Sequence, residues 1–128
     1  MNRKIVLTGV IFGLMSVILG AFGAHGLEDL LSASSLESYE TGVRYQMYHS
    51  LLLLWLGSSA VIPENAKRWV YILLTTGVVL FSFSIYLLAT DSLTSIPFKG
   101  IALLTPLGGF FLILGWVILG YRVFKYFD

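Results

Sequence analysis

The chain has 128 residues, 57% of them hydrophobic and 12% charged, with a net charge of +1 and no cysteine; its mean hydropathy is +0.86. A soluble domain of this size needs a charged surface, nucleic-acid binding needs a basic field, and disulfide or thiolate chemistry needs cysteine, so all three are excluded.

Four uncharged apolar runs take up most of the length: Ile5 to Leu27, Tyr45 to Ile62, Trp69 to Thr90 and Gly100 to Tyr121. Each reaches the ~18 residues that carry a helix across a hydrocarbon layer of ~30 Å. Stretches such as Leu51-Leu-Leu-Leu-Trp55 lack the alternation of a membrane barrel, which leaves helices as the way to satisfy the backbone in lipid.

Arg3 and Lys4 precede the first run, and Ala21-Phe22-Gly23 would pass as a signal-peptide cleavage site. The run exceeds the ~7–15-residue apolar core of a signal peptide, so it reads as an uncleaved span. Its small residues Gly9, Gly13, Ser16, Gly20 and Ala24, with Gly23 beside the last, step by three or four and form one narrow stripe. Such a stripe lets two helix backbones approach closely. Packing within the chain is the plainer reading, and a homodimer seam is the alternative.

Ser34-Ser35-Leu36-Glu37 fits a capping box, so one long helix is expected from about Ser35 to Ile62, its first turns standing outside the bilayer. Glu40 and Arg44 are spaced i,i+4 on that part. Pro63-Glu-Asn-Ala-Lys67 reads as a tight turn with Pro63 ending the second helix. The third run carries Gly77 and Ser84, and its Thr76-Gly77-Val78 echoes Thr8-Gly9-Val10, too briefly to make a repeat. The fourth carries Gly108, Gly109, Gly115 and Gly120. It reads as a helix from near Ile101 that kinks at Pro106; the alternative starts the helix at Pro106, with Thr105 as its cap.

The fold class expected is therefore an all-α membrane protein, a four-transmembrane-helix up-down bundle forming a single integral membrane domain over residues 1–128. With the amino terminus inside, Arg3, Lys4, Lys67, Arg68, Arg122 and Lys125 face the cytoplasm, and Arg44 and Lys99 lie outside. That bias puts both termini in the cytoplasm.

Chemistry, if present, belongs at the outer boundary. Antiparallel helices would place His25 and His49 at similar depth, with Arg44, Tyr45 and Gln46 completing a polar cluster. The plainer reading makes the tyrosines interfacial and lets histidine and glutamine bridge helices by hydrogen bonds. No metal site is expected from His25, His49 and Glu28, which lack metal-type spacing. No cofactor motif or catalytic residue is identified, and Trp55, Trp69 and Trp116 read as packing or interfacial anchors.

Gly20-Ala-Phe-Gly-Ala-His-Gly26, Tyr39-Glu-Thr-Gly-Val-Arg-Tyr-Gln-Met-Tyr-His49 and Thr105-Pro-Leu-Gly-Gly109 with Gly115-Trp116 resemble, in the same order, the family known as domain of unknown function 423. These are uncharacterised small inner-membrane proteins whose eukaryotic relative is transmembrane protein 256. The resemblance covers essentially the whole chain and implies a bacterial cytoplasmic-membrane location, but no activity. Phe83 stands where the family pattern leads one to expect glycine, so helix three is expected to pack less closely.

Three roles follow as expectations. The first is a structural or accessory membrane component, in contact with lipid and with a homo-oligomer or membrane-protein partner. The second is a small oligomeric transporter or channel using the histidines, whose pKa lies near neutrality. The third, ranked last, is a lipid-acting enzyme with His25 or His49 as base.

Overall fold

The structure is a computed structural model that describes residues 1–94 and 99–128; the side chain of Lys99, counted above on the outer side, lies outside the described part. Among the described residues the chain is helical with no strand. Three helices among these residues are long and apolar enough to cross a membrane: α1 (Arg3–Leu27), α3 (Glu64–Ala89) and α4 (Leu104–Tyr126). Between α1 and α3 lies α2 (Ala33–Ser58), 26 residues long.

Consecutive helices pack antiparallel. Along α1 and α2, Gly57 lies beside Asn2 and Val6, Ser50 beside Gly9 and Gly13, and Tyr39 beside Gly23. The α3–α4 pair is built the same way, with Gly77 against Leu112 and Gly115 against Leu74. Gly108 meets the backbone of Leu80 and Phe81, where α3 opens into one wide π turn, Val79–Phe83. The backbone of Phe81 therefore comes close to α4, and Phe83 is half-buried against Tyr86.

The distribution of side chains is that of a lipid-embedded protein. Large apolar residues point outward, among them Leu14, Val17 and Ile18 on α1 and Phe110, Ile113 and Val117 on α4. The buried polar residues include Ser16, Gln46, His49, Ser50 and Ser82. Water would make so much exposed apolar surface costly, whereas lipid makes inward polar groups the adhesive between helices. The main core joins Ile5 and Phe12 of α1, Leu53 and Leu56 of α2, Val70, Leu74 and Val78 of α3, and Leu112 and Leu119 of α4. A smaller cluster of Leu27, Leu31, Tyr39 and Ala89 closes the far end.

Several expected boundaries move. The N-cap of α2 is Ser32, whose side chain accepts from the Ser35 N–H at 3.2 Å, in place of a box begun at Ser34. The helix ends at Ser58 and not Ile62, because Ser59 is extended and its carbonyl turns to Lys67. Pro63 caps the start of α3 instead of stopping α2. Helix α4 starts at Leu104, after a short 3-10 turn at Lys99–Ile101, so Pro106 sits in the first turn, where a missing N–H costs nothing. The first turns of α2 pack along α1 and α3, where Tyr39 is 2% exposed and its hydroxyl donates to the Leu19 carbonyl at 2.7 Å.

Candidate functional site

The polar groups of the chain gather on the buried face of α2. Residues 39, 42, 46, 49, 50 and 53 recur at helical spacing and all are buried. This also explains why α2 falls short in apolarity: its inward face carries the polar residues that the other helices need.

Gln46 is fully buried and bridges two neighbours. Its Nε2 donates to the Phe12 carbonyl of α1 at 3.0 Å, and its Oε1 accepts from the Tyr86 hydroxyl of α3 at 2.7 Å. One turn on, the Ser50 hydroxyl donates to the Gly9 carbonyl at 2.6 Å, an approach possible because Gly9 has no side chain. From α3, the Ser82 hydroxyl donates to the Gly42 carbonyl at 2.8 Å. These bonds reach carbonyls that also serve their own helices, and the Phe12 carbonyl accepts from the Ser16 hydroxyl at 2.8 Å as well.

His49, 3% exposed, links α2 to α4. Its Nδ1 lies 2.6 Å from the Tyr45 carbonyl, and its Nε2 accepts from the Trp116 indole N–H at 3.0 Å. Tyr45 stacks on the imidazole and leans on Phe81, fixing the ring plane.

The expected five-residue cluster comes apart. Tyr45, Gln46 and His49 stand together, but His25 is exposed at the far end of α1. The level of His49 on α1 is set by Ser50 against Gly9 and Gly13, so His25 lies at least twelve residues, about 18 Å, farther along the axis. The reason is register: α2 runs beside α1 from Tyr39 onward, which draws His49 toward the middle of the helices. Arg44 is exposed and turns to the Thr41 hydroxyl at 3.1 Å instead of to Glu40. Of the small-residue stripe, Gly9, Gly13, Ser16, Gly20 and Gly23 face α2, with Ser16 2% exposed. Ala24 points outward and Gly23 takes its place.

A second polar group ties together the other end of the helices. Lys67 is fully buried, and its ammonium donates to the Ser59 carbonyl at 2.7 Å and to Glu64 Oε1 at 2.9 Å. Glu64 also receives the Asn2 amide at 2.8 Å and lies 3.6 Å from the terminal amine. The Asn2 N–H donates to the Gly57 carbonyl at 2.6 Å. On this opening turn, ahead of the apolar run from Trp69, hydrogen bonds from Lys67 and Asn2 hold the Glu64 carboxyl below its ordinary pKa. Sequence reasoning counted Lys67 only as a topology charge. The one available signal was the i,i+3 pair Glu64–Lys67 at a helix start.

Among the described residues no group of three His, Cys, Asp or Glu side chains could hold a metal ion. The bonded inward face, the small-residue seams and the apolar exterior define a helical membrane protein. The family model described as "Protein of unknown function (DUF423)" matches residues 19–109, and the chain belongs to that family. It is similar to a UPF0382 membrane protein of Staphylococcus saprophyticus, 43% identical over 96% of this chain and 98% of the relative. The UPF0382 membrane protein YwdK of Bacillus subtilis is 38% identical over 97% and 98%, and one from Haemophilus influenzae is 35% identical over 98% and 97%. No solved structure matches.

Proposed function

We propose that this chain is a multi-pass protein of the bacterial cytoplasmic membrane, crossing it four times with both termini inside, and that its role is structural or accessory, without an enzymatic reaction. The observation that supports the role is the commitment of the inward polar groups. Gln46, His49, Ser50, Ser82 and Tyr86 are each bonded to another helix. A proton path or a general base needs a group free to exchange partners, and these are held by the packing itself. The second crossing belongs to α2, because its polar residues face the other helices while Tyr48, Leu51 and Trp55 face outward. The six-to-two division of basic residues supports the orientation. The contacts of such a protein are lipid and another membrane protein or a second copy; no nucleic acid and no cofactor enter.

Reporter fusions test the topology: insertions at Asn65 and fusions at the carboxyl terminus report cytoplasm, and an insertion at Ser34 reports the opposite side. An external signal at Asn65 overturns it. For the role, capture from native membranes recovers a stable membrane-protein partner or a homo-oligomer. Solute or proton flux in proteoliposomes that is lost on His49→Ala replaces the accessory reading with a transport one.

A further inference from the structure

Two grooves flank Tyr71 where α1 and α3 begin. One, of about 480 Å³, is lined by Asn2, Lys4, Glu64, Arg68, Tyr71 and Ile72 among others. The other, of about 500 Å³, is lined by Arg3, Lys4, Leu7, Thr8, Ile11 and Tyr71. Lys4 and Tyr71 belong to both, so the two form one trough, and both volumes fall in the ~300–1,000 Å³ range of small-molecule sites.

Its chemistry is graded along the helix axis. At the terminal end are the basic side chains of Arg3, Lys4 and Arg68, all exposed. The acid there, Glu64, is already engaged by Lys67, Asn2 and the terminal amine, so it does not cancel the three basic side chains, none of which is ion-paired among the described residues. The Lys4 ammonium sits 5.8 Å over the Tyr71 ring, and the Tyr71 hydroxyl meets the Thr8 hydroxyl at 2.9 Å, giving the trough a polar floor. Deeper along the same helices the lining is apolar, with Leu7 47% and Ile11 53% exposed.

We infer that this trough binds one anionic glycerophospholipid, its phosphate held by Arg3, Lys4 and Arg68 and an acyl chain laid along Leu7 and Ile11. A cationic rim one to two turns above an exposed apolar strip matches a lipid's phosphate above its tails. Basic pockets between membrane helices recognise anionic headgroups on the same grounds. Soluble phosphate would use the rim but not the strip, and a zwitterionic lipid would use the strip but carry its own cation against the rim. The inference rests on the chain lying in a membrane, and the leaflet is the cytoplasmic one if the proposed orientation holds.

The test uses the full-length protein in neutral detergent, with native mass spectrometry and thermal melting against phosphatidylglycerol, phosphatidylcholine and inorganic phosphate. Phosphatidylglycerol is expected to be retained and to raise the melting temperature, with the other two much weaker. Replacing Arg3, Lys4 and Arg68 by Gln should weaken retention about fivefold each and about a hundredfold together. Lys125→Gln, on the exposed end of α4, should leave it unchanged. Lipid-free melting of the triple variant is expected to match the parent, because all three side chains are exposed. Equal retention of the two lipids, full stabilisation by phosphate alone, or unaltered binding by the triple variant each overturns the inference. Neither readout depends on orientation, so the reporter fusions can fail while this site stands, and the reverse.

Discussion

Trp116 on α4 donates its indole N–H to Nε2 of His49 on α2 across 3.0 Å. An indole nitrogen only donates, so Nε2 must present its lone pair. The Tyr45 carbonyl only accepts, so Nδ1 must carry the hydrogen. The two partners together select a single neutral tautomer and fix which way the ring faces. His49 is thus an orienting strut between helices that are not neighbours in sequence.

His49→Leu is expected to destabilise by about 1–3 kcal/mol, because the Trp116 N–H loses its acceptor on α2. His49→Gln, able to accept and donate at once, should keep most of the stability. Melting in detergent separates the two. Equal melting of the Leu and Gln variants would mean the Trp116 bond contributes nothing.

Gln46 and Tyr86 make a sharper case because both lie between helices and the amide is fully buried. Tyr86→Phe leaves Oε1 without its donor and should cost about 1–3 kcal/mol. Gln46→Leu removes both of its bonds at once. In a double-mutant cycle the combined loss should fall short of the sum by about 0.5–3 kcal/mol, since the second change removes the partner the first had stranded. Strict additivity would show that the pair is not coupled.

The glycine seam predicts a graded series. A Cβ at Gly9 would meet the Ser50 carbonyl oxygen at 2.9 Å and the Leu54 nitrogen at 3.0 Å, both backbone atoms that cannot move aside. At Gly20 it would meet only the Val43 side chain at 3.4 Å, an ordinary contact. Gly9→Ala is therefore expected to cost about 1–3 kcal/mol, with Gly20→Ala near neutral. Ala24→Leu, on the outward face, should also be near neutral. If Gly20→Ala and Gly9→Ala melt together, the close approach at Gly9 is not what holds α1 to α2.

Helix positions and the small-residue stripe were legible because both follow from periodicity, which survives any choice of partner. The stripe failed at its last member: the wide turn at Gly23–Leu27 shifts the phase of α1, so Gly23 and not Ala24 meets Tyr39. The pairing of His25 with His49 failed for a different reason. It assumed that antiparallel packing alone brings the two histidines level, and nothing in the local sequence fixes how far two helices slide past each other. That register is set by Gly9 and Gly57 against distant backbone and by Gly13 against the Ser50 side chain, which only the packed structure reveals. Lys67 was missed because a lysine beside an arginine in a short loop normally reads as solvated.

The Lys67 assembly predicts an order of effects that inverts the usual expectation for a charge pair. Lys67 is the buried member and Glu64 the half-exposed one, at 0% and 52% side-chain exposure. Removing the acid by Glu64→Gln leaves a buried ammonium with the Ser59 carbonyl and no counter-charge, whereas Lys67→Met leaves a carboxylate that water can solvate. Glu64→Gln should therefore lower the melting temperature more than Lys67→Met, and the double variant should recover part of the loss. Acid should act like the first change. A carboxyl held below its ordinary pKa contributes stability above that range and loses it as the pH falls through the lowered value, so parent melting should drop as the solution is acidified through and below the ordinary carboxylate range. The Glu64→Gln variant should show a flatter profile there. A parent whose melting is indifferent to pH between 3 and 6, or a Lys67→Met variant weaker than Glu64→Gln, would show that the ammonium is compensated by groups other than Glu64.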